Sequence, residues 1–225
     1  MSRFPGPTDG PGSWKQWLAK PDKHWKPGYS AWALAHAWEA ASGFPPEILR
    51  LLATDPHLAG ATLLLAIPEY KVDLPGGTRP SQNDLLCVCR TAAGLATIAV
   101  EGKVDETFDK TLDEWRRGKA PGKNTRLQYL TRTIGLRTRP PGTIRYQLLH
   151  RTASAVIEAE RFHAADAAMI VHSFSPEQTS LGDYKAFLGL FGKTGGVGQM
   201  VALGTPKGIR LWAGWAQGDA RFLKV

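Results

Sequence analysis

PSQNDLLCVCRTAAGLATIAVEGKVDETFD, residues 80–109, decides the fold. Two apolar runs, Leu85 to Thr91 and Leu95 to Lys103, flank Thr91-Ala92-Ala93-Gly94, a tight-turn sequence. Runs of this length bounded by turn residues read as two strands of a hairpin. A two-residue turn at Ala92-Ala93 pairs residues whose numbers sum to 185, which sets Asp84 opposite Glu101. A turn at Ala93-Gly94 pairs Asp84 with Lys103 instead. Strand side chains alternate with period two, so both registers put Asp84, Glu101 and Lys103 on one face. Directly opposed Cβ atoms lie about 4.5–5.5 Å apart. A one-residue slip would take Asp84 to the other face.

Around this hairpin the chain reads as helices, three strands, helices, a strand, a helix and two strands. Residues 1–29 form an irregular arm, with Met1 to Ser13 a loose Gly- and Pro-rich tail and Trp14, Trp17 and Trp25 among lysines and prolines. Ser30 suits an N-cap for a helix to about Ser42, closed by Gly43. Pro45-Pro46 opens a second helix to Ala53. Ala61 to Leu74 is the first strand, and Pro68 within it argues for a bulge or an edge. Pro75-Gly76-Gly77 is a turn. The i, i+4, i+7 stripe Phe108, Leu112, Trp115 predicts a helix from Val104 to Gly118. Thr125 to Ile134 is a further helix, and Thr143 caps a long one to His163. Ala167 to Phe174 is a strand, Leu181 to Phe191 a helix, and Gln199 to Leu203 with Ile209 to Trp215 a terminal hairpin. The sum is an α/β layered domain over residues 30–225, a central mixed β-sheet flanked by helices.

Composition narrows the function classes. The chain has 225 residues, 43% of them hydrophobic, enough for one sizeable core. No apolar run approaches the roughly 18–20 residues of a membrane span, and the N-terminus lacks the apolar stretch of a secretory signal. Cys87 and Cys89 stand at i and i+2 of one strand, poor geometry for a mutual disulfide. They read as reduced thiols of a cytoplasmic protein. Net charge is +8, unevenly spread. Trp115 to Ile157 has no acidic residue but contains Arg116, Arg117, Lys119, Lys123, Arg126, Arg132, Arg137, Arg139, Arg145 and Arg151. A one-signed block of that length calls for a polyanion, nucleic acid before a membrane surface.

Two carboxylates brought together repel unless a cation lies between them. A hard divalent ion such as Mg²⁺, or Mn²⁺ in its place, suits such a pair, and a lysine beside it can orient a water or neutralise a phosphate. Asp84, Glu101 and Lys103 are therefore a sufficient kit for metal-assisted phosphodiester hydrolysis. The competing structural reading is a salt-bridged trio on a solvated sheet face.

Asn83-Asp84, sixteen residues, then Glu101-Gly102-Lys103 resembles the PD-(D/E)XK nuclease superfamily, across roughly residues 30–175. The resemblance implies a restriction-endonuclease-like fold and a nuclease acting on nucleic acid, DNA in the first instance. Asp84 and Glu101 would be its Mg²⁺ ligands, joined by the Gly102 carbonyl, and Lys103 its catalytic lysine. Asn83 stands where the family name has proline. The family often draws a further acid from upstream, here Glu39 on the helix or Glu69 on the first strand. Some members carry a Gln on the later helix followed four residues on by Tyr; here Gln147 is followed by Arg151. Gln147, Arg151, Arg116, Arg117 and Arg126 are candidate phosphate or substrate contacts. Many members act as homodimers. The alternative reading is a non-catalytic nucleic-acid-binding or complex-assembly module on the same fold.

Other motifs carry less. Residues 75–77 and 193–198 are glycine-rich, but neither fits the phosphate-loop pattern. The six histidines show no zinc spacing. His172, on an apolar strand, reads as a satisfied core residue. No serine stands in a nucleophile elbow.

Overall fold

The turn between the two central strands takes the shorter of the two registers. In the computed structural model, which describes residues 8–117 and 121–225, β2 (Ser81–Thr91) and β3 (Gly94–Lys103) pair antiparallel from Thr91↔Gly94 to Leu85↔Val100. Those pairs all sum to 185, so Asp84 falls level with Glu101. Thr91 Oγ1 accepts from Ala93 N at 3.3 Å, and Gly94 leaves the turn at φ 126°, a backbone that favours glycine.

β1 (Thr62–Val72) pairs antiparallel with the other side of β2. Two later strands join in parallel, β4 (Asp166–Ser173) on β3 and β6 (Arg210–Gln217) on β4. β5 (Met200–Gly204) closes the sheet antiparallel to β6. The result is one mixed six-stranded sheet of order β1-β2-β3-β4-β6-β5, flanked by helices. β1 is an edge strand, which is where its Pro68 is tolerated. A register shift falls between Leu63 and Leu65, and Glu69 adopts φ 53° beside Pro68.

Among the described residues, seven α-helices flank the sheet: α1 (Pro21–His24), α2 (Ser30–Glu39), α3 (Pro46–Leu52), α4 (Leu112–Arg116), α5 (Lys123–Thr133), α6 (Tyr146–Arg161) and α7 (Leu181–Gly189). Strand alternation sorts the core into two halves. Leu85, Cys87, Cys89, Ile98 and Ile170 pack with Leu34, Trp38 and Ile48 of α2 and α3. Ala99, Met169, Val171 and Trp215 pack with Leu148, Val156 and Phe187 of α6 and α7. Both thiols are free and buried, and burial raises Cys87 well above its ordinary value and Cys89 to about 12. No helix among the described residues is long and apolar enough to cross a membrane.

The arm is more ordered than its composition predicts. Pro11–Trp17 forms a 3₁₀ helix that buries Trp14, whose Nε1 donates to Glu39 Oε1 at 2.8 Å. Residues 1–7 of the expected tail lie outside the described residues. Three helix boundaries also differ from expectation. Tyr29, not Ser30, caps α2, which ends at Glu39. No helix runs from Val104 to Gly118. Thr111 and Glu114 form a capping box that starts α4 only at Leu112, and Asp109 before it stands at φ 52°. The spacing of Phe108, Leu112 and Trp115 mimics a helix because all three turn towards the same α6-side core. α6 starts at Tyr146 rather than after Thr143, because residues around Arg145 bridge back to Thr111 and Leu112 N donates to Ile144 O.

Arg126 holds the loop after β1. Its Nε donates to Pro75 O at 2.9 Å, and its Nη2 donates to Leu74 O and Gly77 O, both at 3.0 Å. Gly76, at φ 77°, has Gly122 O only 2.2 Å from where a Cβ would stand, so no other residue fits. Arg126→Ala would strand those carbonyls. It should cost about 3 kcal/mol, seen as a Tm lower by roughly 6–12 °C. An unchanged melting curve would remove Arg126 from this structural role.

Candidate active site

The carboxylate end of the hairpin opens into a cavity of about 470 Å³. Several parts of the chain supply its wall, among them Ser30 and Ala31 of α2 and Glu106 after β3. β2 and β3 bring Asp84, Glu101 and Lys103, edge strand β1 brings Glu69, helix α6 brings Gln147 and Arg151, and the arm brings Lys20, Lys23 and His24. Glu101 and Lys103 share the α6-facing side of β3. Residues four apart on a helix share a face, so Gln147 and Arg151 both reach Glu101.

Glu101 is the hub. Lys103 Nζ lies 2.8 Å from its Oε1, Gln147 Nε2 donates to the same oxygen at 2.6 Å, and Arg151 Nε donates to Oε2. Lys103 Nζ also donates to Gln147 Oε1 at 3.2 Å and stands 5.0 Å from the Phe108 ring centre. Arg151 Nη2 is 3.7 Å from Asp84 Oδ1, so its guanidinium spans the two carboxylates. Asp84 Oδ2 accepts the Gly102 N–H at 2.9 Å, which ties the Asp to the strand carrying Glu101. Glu69 accepts from Gln82 Nε2.

Burial alone would raise Glu101, but Arg151 and Lys103 beside it hold it below the usual carboxylate range. The other two acids go the opposite way. Burial raises Asp84 well above its ordinary value, and the Glu101 charge adds to this against Arg151. Burial lifts Glu69 to about 7, against its Gln82 bond and Arg151, with Glu101 adding to the rise. Of the four carboxyls lining the cavity, these three share two inner cations, Lys103 and Arg151, while Glu106 accepts from Val104 N.

The raised Glu69 has a consequence for stability. An unfolded Glu titrates near about 4.3, whereas folded Glu69 keeps its proton to about 7. Its contribution is complete below the unfolded value and is lost as pH rises through the folded one. In chelator, the Tm of the wild type should therefore fall between about pH 5 and pH 8. Glu69→Gln should flatten that slope, and an equally steep slope in the variant would contradict the assignment.

The donor set suits a hard divalent ion, being carboxylate oxygen throughout, with the Gly102 peptide between the two strands' acids. Burial is the main reason both Asp84 and Glu69 are raised, so positive charge beside them favours their ionised forms. Arg151 supplies part of that charge in this arrangement, and among the described residues no group of three His, Cys, Asp or Glu side chains stands ready-made around a metal.

The remaining sequence candidates lie elsewhere. Glu39 anchors Trp14 and does not line the cavity. Arg126 bonds the carbonyls after β1, Arg117 lies on an exposed groove with Arg145 and Glu114, and Arg116 faces a separate cavity. Lys119 lies outside the described residues. Lys20, Lys23 and His24 escape a reading by motif. Their one signal is a lysine-rich stretch among tryptophans. His172 is a satisfied core residue: its Nδ1 accepts from Trp38 Nε1 at 3.2 Å, and its Nε2 meets Glu47 Oε1 at 2.9 Å.

No curated protein and no solved structure matches the chain. One family model does, over residues 7–220, so the chain belongs to DUF6946, a domain of unknown function.

Proposed function

We propose that this protein is a metal-dependent nuclease of the PD-(D/E)XK type that hydrolyses phosphodiester bonds, with DNA as its substrate. The observation that carries the reading is the meeting of Asp84, Glu101 and Lys103 with Gln147 in one cavity. Topology supports it. Helix α2, the antiparallel run β1-β2-β3, helix α6 and a β4 parallel to β3 follow the order of that superfamily's restriction-endonuclease-like core. β6 and β5 extend the sheet beyond it.

Asp84 and Glu101 would hold Mg²⁺ or Mn²⁺, with Glu69 as the further acid. When bound, the ion supplies positive charge to the phosphoryl oxygens and acidifies water. Lys103 has three N–H donors, two of them directed to Glu101 and Gln147. The third is free to orient the attacking water or to steady charge on the phosphate. Gln147 fixes the lysine by bonding both it and Glu101. Lys20 and Lys23 at the cavity wall would engage backbone phosphates, which makes binding fall steeply with salt.

One observation favours a second reading. Arg151 and Lys103 already satisfy Glu101 without a metal, as in a binding or complex-assembly module that has no use for one. A cleavage panel separates the two. Plasmid, linear duplex, single-stranded DNA and RNA are each incubated with Mg²⁺, Mn²⁺ or EDTA. Divalent-dependent cleavage of a DNA substrate is expected. Binding of these substrates with no cleavage under any metal would leave the module reading.

A further inference from the structure

Beside α5 lies a second cavity, of about 520 Å³, which shares no lining residue with the carboxylate cavity. Four arginines line it: Arg116 at the end of α4, Arg132 near the end of α5, and Arg137 and Arg139 on the loop that follows. Asn124, Gln128 and Thr131 add amide and hydroxyl groups from one stripe of α5. Among the described residues, no carboxylate lines this cavity.

The arginines buried among the described residues have an internal purpose. Arg126 bonds carbonyls, and Arg151 bonds Glu101. Half-buried Arg116 does not. Its Nε and Nη2 are buried yet have no hydrogen-bond partner among the described residues. Buried donors of this kind are normally satisfied, because leaving them unmade is costly. Burial and the neighbouring Arg139 together pull Arg116 below its ordinary value, and Asp113 offsets this only in part. Arg132, Arg137 and Arg139 are exposed. Four cations thus crowd one concave site.

We propose that this cavity is a phosphate-binding site for a ligand carrying a phosphate monoester or diphosphate. Guanidinium forks match phosphate oxygens in pairs, and the volume leaves room for a sugar or base against Leu127 and Leu136. Two sources share this chemistry, the phosphorylated end of a nucleic-acid strand and a free nucleotide. The site stands independently of whether the carboxylate cavity cleaves anything.

Calorimetric titration of the full chain in EDTA, with pyrophosphate as probe, tests it. One site per chain is expected. Arg116→Gln and, separately, the exposed Arg139→Gln should each weaken it by about tenfold to a hundredfold with the melting temperature retained. Displacement by a 5′-phosphorylated oligonucleotide but not its 5′-hydroxyl twin assigns a strand end. Displacement by a nucleoside diphosphate but by neither oligonucleotide assigns a free nucleotide. No binding at low salt, or undiminished binding in both variants, overturns the site. Equal displacement by the two oligonucleotides overturns the monoester assignment, since backbone diesters would then suffice.

Discussion

Lys103→Ala and Asp84→Ala are each expected to reduce divalent-dependent cleavage by about a thousandfold or more, with DNA affinity kept within a few-fold. The two variants act on different parts of the site. Asp84 is fixed by the Gly102 N–H and by Arg151, and its loss takes one of the two carboxylates proposed to hold the ion. Lys103→Ala leaves the acids in place but removes the ammonium held between Glu101 and Gln147. The measurement is single-turnover cleavage of the best substrate from the panel, beside filter binding in EDTA. Cleavage that survives both substitutions would end the nuclease proposal. A parallel loss of binding would mean that the fold, not the chemistry, had failed.

Arg151→Met should have the second largest effect. Arg151 is buried and bonds Glu101, Asp84 and Ser81 Oγ, the last at 3.3 Å. Removing one partner of a buried ion pair leaves the other charge uncompensated, at a cost of about 3–5 kcal/mol. For a chain of this size that is roughly 6–20 °C in Tm, measured in chelator. Millimolar Mn²⁺ or Mg²⁺ should then recover more of the melting temperature in the variant than it adds to the wild type. In Arg151→Met the cation faces Asp84, Glu101 and Glu69 without a competing guanidinium. Ions that stabilise neither protein would show that the carboxylates hold no metal, and the binding-module reading would stand.

The strands were legible because their physics is local. Period-two alternation and the turn residues place all six, and a two-residue turn at Ala92-Ala93, one of the two registers the sequence allows, sets Asp84 level with Glu101. The misplaced helix start after Val104 shows the limit of periodicity. Phe108 and Leu112 face one core through an irregular segment, and the true signal is the Thr111-to-Glu114 capping box that opens seven residues after Val104. Thr143 failed as a cap for a tertiary reason, the bridge between Thr111 and Arg145. The basic block was visible as charge, but its parts do different work. Arg126 and Arg151 are buried and bonded within the protein, while Arg132, Arg137 and Arg139 are exposed. Charge counts carry no burial, so the sequence cannot sort them. The arm's lysines reach the cavity on a segment tied to α2 by Trp14 on Glu39, a contact between residues twenty-five apart, and by Trp25 against Trp32.

The hairpin turn also works as a ruler. From Ala92 to Asp84 is eight residues of strand, roughly 26 Å at about 3.3 Å per residue. The distant tip therefore sets which side chains meet at the other end. One residue added at Ala92-Ala93, unless absorbed as a bulge, swings Asp84 to the face of α2, while two added residues preserve its parity. An epitope or reporter grafted into this exposed tip is thus not a neutral label. It leaves the cavity intact where its residues loop out beyond Thr91↔Gly94, and disturbs it where an odd number of them is drawn into the ladder.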